Sequence, residues 1–161
     1  MRSSRPFIIQ TPLWCYFGYG EGQHRDCDAC EGEYLRTGRI PNPALDCWKV
    51  EFRLDRVRDP ESVVAYLLEL AAADRRFMGK YSMVPIDVPS VPGSSGESES
   101  SMERVAVVYF GSRREAEDFC LRAKAAFSEQ FLPGEEEKAV RVRRGCWHFE
   151  VTNAPPDEQT E

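Results

Sequence analysis

The segment Arg104-Val-Ala-Val-Val-Tyr-Phe110 is apolar at successive positions from Val105 onward, and it runs almost directly into Ser112-Arg-Arg-Glu115. Side chains alternate between the two faces of a strand, so a strand with no polar face belongs in the middle of a sheet. Ser112 with Glu115 three residues later is a capping box, the start signal of a helix. That helix has a buried stripe of Ala116, Phe119, Cys120, Ala123, Phe127 and Phe131 and stops at Pro133-Gly134. A chain built around this pair needs a multi-stranded sheet with material on both sides.

The same logic recurs upstream. Trp48-Lys-Val-Glu-Phe-Arg-Leu54 alternates, with Trp48, Val50, Phe52 and Leu54 on one face and Lys49, Glu51, Arg53 and Asp55 on the other. Asp59-Pro60-Glu61 then supplies an N-cap, a first-turn proline and an acid at the positive end of a helix dipole. Val64, Leu67, Leu68 and Ala71 follow at helical spacing as far as Arg75-Arg76 and Gly79. Tyr81 to Val88 reads as a second strand whose Pro85 suits an edge or a bulge. Ser90 to Ser101 is rich in Ser and Gly, within a flexible loop placed at 89–103. Lys138 to Arg143 and Cys146 to Val151 read as strand, and 152–161 as a disordered tail.

The order strand, helix, strand, strand, helix, strand predicts an α+β fold: a ferredoxin-like βαββαβ domain over 48–151, with a four-stranded antiparallel sheet and both helices on one face. Residues 1–47 hold four of the six cysteines and no sustained periodicity, so they read as an irregular metal-binding segment docked on that core. The competing expectation is another α+β sandwich in which this segment contributes a strand, such as Pro6 to Gln10. At 161 residues the chain suits one main core.

Arg104-Val-Ala-Val-Val-Tyr-Phe followed by Arg-Arg-Glu-Ala-Glu-Asp-Phe resembles the third strand and second helix of RNA-recognition-motif domains. The resemblance covers a small part of the chain and implies the same topology. It does not carry that family's function, because Val105 and Val107 stand where its stacking aromatics would be, and the strand Lys49 to Leu54 lacks the platform aromatics as well.

The chemistry is concentrated in His24-Arg-Asp-Cys27-Asp-Ala-Cys30, with Cys47 at the mouth of the first core strand. Two thiolates from a Cys-x-x-Cys turn reach one ion, and Cys47 with His24 or Cys15 would close a tetrahedral shell of the structural zinc type. An iron–sulfur cluster on Cys15, Cys27, Cys30 and Cys47 is the alternative cofactor. A redox dithiol fits less well, since Asp26 and Asp28 flank Cys27 and disfavour its thiolate.

No run approaches the roughly 20 apolar residues of a membrane span. The apolar stretch near the N-terminus is too short for a signal peptide, which makes the expected compartment the cytoplasm, where clustered thiols bind metal more often than they form disulfides. The net charge of −6 repels phosphate and counts against general nucleic-acid or membrane binding. Arg141 and Arg143 share a strand face, and pairing with Glu51 and Asp55 accounts for them without a ligand. Val105, Val107 and Tyr109 would face away from the helices and need a cover: the N-terminal segment, a protein partner, or a second copy on the open sheet face. Cys120 reads as core, and Cys146 with His148 stand two apart on a strand, too far for a nucleophile–base pair. No phosphate loop, serine elbow or paired-histidine helix occurs.

The reading that results is a small metal-binding accessory, regulatory or protein-interaction module rather than an enzyme. Its alternative is a metal- or cysteine-dependent enzyme or enzyme subunit, and a third class is an RNA binder using Arg141, Arg143 and Tyr109.

Overall fold

The computed structural model describes residues 7–10, 12–18, 35–39, 48–74, 76–88 and 101–144. His24, Cys27, Cys30 and Cys47, the loop stretch 89–100, and residues 145–161 with Cys146, His148 and the tail lie outside the described residues.

The class is α+β. Strands β1 (Phe7–Gln10), β2 (Trp14–Gly18) and β3 (Trp48–Arg53) lead through a 3-10 turn (Leu54–Arg56) into helix α1 (Pro60–Ala73). Then come β4 (Gly79–Ser82), β5 (Ile86–Val88), β6 (Ser101–Glu103), β7 (Val105–Phe110), α2 (Arg113–Ala126), the short α3 (Glu136–Ala139) and β8 (Val140–Arg144). The main sheet has the order β1-β2-β4-β7-β3-β8, and every neighbouring pair is antiparallel. Among the described residues no helix is long and apolar enough to cross a membrane.

Strand β7 is interior, as its unbroken apolar run requires, with β4 on one side and β3 on the other. Ala106 and Val108 join Val50, Phe52 and Val140 in one core cluster with Val63, Val64, Leu67 and Ala71 of α1 and Ala116, Phe119, Cys120 and Ala123 of α2. Both long helices therefore bury their stripes against the same sheet residues. The N-cap half of the capping box forms at α2, where the Glu115 N–H donates to Ser112 Oγ at 3.2 Å. Asp59 starts α1 differently: its side chain makes no cap bond, and its carbonyl accepts from the Ser62 N–H and hydroxyl instead.

Three expectations are corrected. The sheet has six strands rather than four, because β1 and β2 add to the free side of β4. Phe7–Gln10 is thus a strand, as the competing reading had it, and β4 lies between β2 and β7 rather than at an edge. The predicted strand Tyr81–Val88 is two strands: the chain bends at Met83 and Val84 just before Pro85, which has no N–H to donate, and β5 leaves to pair with β6. Ser101–Glu103, placed within the predicted loop 89–103, forms β6.

At the end of the β4–β7 pairing a side chain replaces the ladder. Ser82 is fully buried; its hydroxyl accepts the Val105 N–H at 2.8 Å and donates to the Val105 carbonyl at 3.3 Å. Ser82→Ala would strand a buried backbone N–H, a loss of about 1–3 kcal/mol. Urea denaturation is expected to show a lower midpoint at unchanged slope, and an unchanged midpoint would mean that the bond contributes nothing.

Candidate functional site

Of the five predicted metal ligands only Cys15 is described. It lies on β2, buried at 3% exposure, with its thiol unoxidised and in register with Tyr81 of β4. Burial, and then a hydrogen bond with Cys15, push the Tyr81 phenol up to about 12. Among the described residues no group of three or more His, Cys, Asp or Glu side chains could hold a metal ion. Cys120 is a core residue, as its place on the α2 stripe requires, and burial raises its pKa.

The sheet face away from the helices carries charge in an enclosed setting. Lys49, Glu51 and Arg53 alternate with the core residues of β3 and are buried, as are Glu103 and Arg143. Arg53 Nε lies 2.5 Å from Glu51 Oε1, Arg143 Nη1 donates to Glu51 Oε2, and Arg141 Nη2 stands 3.6 Å from Glu51. The predicted cross-strand pairing with Glu51 is therefore present. Asp55 has another role and accepts the Arg104 backbone N–H at 3.0 Å. The chain of charges extends from Arg53 to Glu103 at 2.5 Å, from Glu103 to Arg56 at 3.0 Å, and from Arg56 to Glu135 at 2.5 Å.

Tyr109 is buried with Met78 and Val107, Arg143 is enclosed against Glu51, and part-exposed Arg141 leans on the same carboxylate. Val105, Val107 and Tyr109 are 4, 9 and 3% exposed in the single chain. Beyond them Lys80 Nζ stands 4.1 Å from the Trp14 ring centroid and 5.8 Å from that of Tyr16, a cation held over aromatic faces.

Among the described residues a space of small-ligand size lies on the helix side. A cleft of about 330 Å³ opens between the second half of α1 (Tyr66, Leu70, Ala73) and the first half of α2 (Glu115, Asp118, Phe119, Arg122). Phe110 at the end of β7 and Phe77 in the α1–β4 connection also line it, with Asp74 and Arg76 from that connection. Phe119 lies 5.5 Å from Phe77 and 5.2 Å from Phe110, ring centroid to centroid, so the floor is a continuous aromatic group. Asp74, Arg76, Glu115, Asp118 and Arg122 are all exposed.

Sequence reasoning missed this cleft for a definite reason. Its rings come from positions 66, 77, 110 and 119, and only the helix packing brings them together, while Glu115, Asp118 and Arg122 have the spacing of an ordinary solvated helix face. One signal was available: Phe119 is the largest residue of the α2 stripe near its N-terminal end. No family model, no curated protein and no solved structure matches the chain.

The charge network sets a pH dependence. Burial alone would raise the Glu51 pKa, but Arg143, Arg53 and Arg141 outweigh it and hold the carboxyl at about 2 against an ordinary 4.5. A depressed folded-state value contributes stability above the ordinary pKa and loses it as pH falls through the folded one, here from about 4.5 toward about 2. The linked contribution is on the order of 3 kcal/mol. Glu51→Gln leaves buried arginines uncompensated and is expected to be less stable than the wild type by about 3–5 kcal/mol at neutral pH. Denaturation curves taken down the pH scale should show the two proteins converging over that acid window; a constant gap would mean that the carboxylate charge is not what matters.

Proposed function

We propose that the chain is a small binding module of the accessory or regulatory kind, built on a ferredoxin-like core extended by β1 and β2, with a ligand cleft between its helices and a structural zinc in residues 1–47. The cleft carries the reading. It has an aromatic floor, a charged rim and a volume near the lower end of the small-ligand range, and no Ser, Cys or His lines it to serve as a nucleophile. The ferredoxin-like reading is supported by the sheet order β8-β3-β7-β4 with the two long helices falling after β3 and β7.

The zinc reading rests on the spacing of Cys27, Cys30 and Cys47, with His24 or Cys15 as the fourth ligand. Burial of Cys15 within β2 favours His24.

Two measurements test these readings. Elemental analysis is expected to find one zinc per colourless chain, retained in Cys15→Ser and lost in Cys27→Ser; metal-free or brown protein would overturn the zinc assignment. For the cleft, Ala73→Trp places a large ring from an exposed helix position into the opening. A screen of small amphipathic molecules by amide chemical shift should move resonances of Leu70, Phe110 and Phe119 in the wild type and not in Ala73→Trp. If no compound moves them, or if the same compounds do so in the filled variant, the binding reading is wrong.

A further inference from the structure

The cleft's rim has charges of both signs that do not neutralise one another. Asp118 and Arg122 are four apart on α2, the spacing at which an ion pair is expected, and Arg113 and Glu117 on the same helix make such a pair at 2.7 Å. Among the described residues Asp118 and Arg122 form no ion pair; the Arg122 guanidinium instead lies 5.8 Å from the Phe119 ring centroid. Glu115 and Arg76 likewise enter no ion pair there, and Asp74 accepts the backbone N–H of Arg76 at 2.9 Å, closing the turn that presents the Arg76 side chain. Carboxylates and guanidinium groups therefore both border the same opening, over rings that take up apolar surface.

A ligand with one charge would satisfy one set and face repulsion from the other. An uncharged ligand would use neither. A small zwitterion with an apolar body meets both signs at once and buries its remainder on the floor, and about 330 Å³ holds a molecule of that size rather than a folded or extended chain.

We propose that this cleft binds a free α-amino acid with an apolar or aromatic side chain, its ammonium group held by Asp118 and Glu115, its carboxylate by Arg122 and Arg76, and its side chain lying on Phe119 and Phe110. The inference rests on the binding-module reading above and deepens it. Arginine forks match a carboxylate in two parallel hydrogen bonds, which makes the carboxylate end the more directional contact.

The test uses the full chain and isothermal titration with L-phenylalanine and L-leucine, beside phenethylamine, which keeps the ammonium alone, and 3-phenylpropionate, which keeps the carboxylate alone. The amino acids are expected to bind at least about ten-fold more tightly than either analogue, since each lost charged contact removes a factor of that order. Asp118→Asn should weaken L-phenylalanine and phenethylamine and spare 3-phenylpropionate; Arg122→Gln should do the reverse. Both positions are exposed, so the fold should tolerate the changes, and circular dichroism checks that. If the analogues bind as well as the amino acids, the zwitterion inference fails while the binding reading stands. If no amino acid binds but the screen finds other cleft ligands, the same division holds. Failure of both experiments removes both.

Discussion

Glu51 is a carboxylate in the middle of a sheet, on a face that excludes water, with arginines on three sides. Such a group is tolerated only when its partners are in place, because a lone buried charge costs several kcal/mol while a paired one roughly balances desolvation against attraction. The consequence is positional rather than simply stabilising. Arg141 is directly across from Glu51 in the β3–β8 pairing and Arg143 lies one diagonal step away, so the ion pairs fix which face of β8 meets Glu51. A one-residue slip would turn both arginines into the apolar core and bring Val140 and Val142 out. Through Arg53, Glu103 and Arg56 the same charges reach β6, the 3-10 turn and Glu135 ahead of α3, tying segments that are remote in sequence to the central strand.

The two sheet faces therefore do different work with the same strands. Toward the helices β3 presents Val50 and Phe52 and β7 presents Ala106 and Val108, and apolar burial there drives assembly. Away from the helices β3 presents Lys49, Glu51 and Arg53, and charge pairing sets alignment. A ligand site on the second face would compete with partners already committed to one another. On the helix side, the cleft between the second half of α1 and the first half of α2 leaves room over Phe110 and Phe119 without interrupting any pairing.

How much of this could be read in the residues follows from how local each cause is. The alternation of Trp48 to Arg53, the unbroken run Val105 to Phe110 and the Ser112 N-cap each act within one element and formed as read, while Leu54 opens a 3-10 turn instead of continuing the strand. The pairing of Arg141 and Arg143 with Glu51 was legible once β3 and β8 were taken as neighbours. Glu103 was not, because it had been placed in the loop and meets Arg53 only after β6 pairs with β5. The addition of β2 to β4 was also hidden: Trp14–Gly18 has few residues and depends on Phe17 finding Phe77 and Tyr81, contacts more than 55 residues away in sequence. The aromatic floor of the cleft was hidden for the same reason, and the cysteine cluster falls among residues to which none of these structural arguments applies.

The α1–β4 connection joins the two faces. The Phe77 N–H donates to the Asp74 carbonyl at 3.1 Å, forming a tight turn, and the Phe77 ring enters the core against Phe17 and Phe119. The next residue, Met78, packs on the opposite face with Val107 and Tyr109, and its carbonyl accepts the Tyr109 N–H at 3.1 Å. Close packing holds the chain there. A methyl group on Gly79 would come within 2.2 Å of the Val107 carbonyl oxygen, and one on Gly18, whose φ is +118°, within 2.6 Å of Met78 Cβ. Asp74 and Arg76 thus sit on a segment clamped from both sides of the sheet, while Glu115, Asp118 and Arg122 sit on a capped helix. Binding there would therefore order side chains rather than helix backbone, and the exposed Arg76, Glu115, Asp118 and Arg122 side chains would lose rotamer freedom on taking up a ligand.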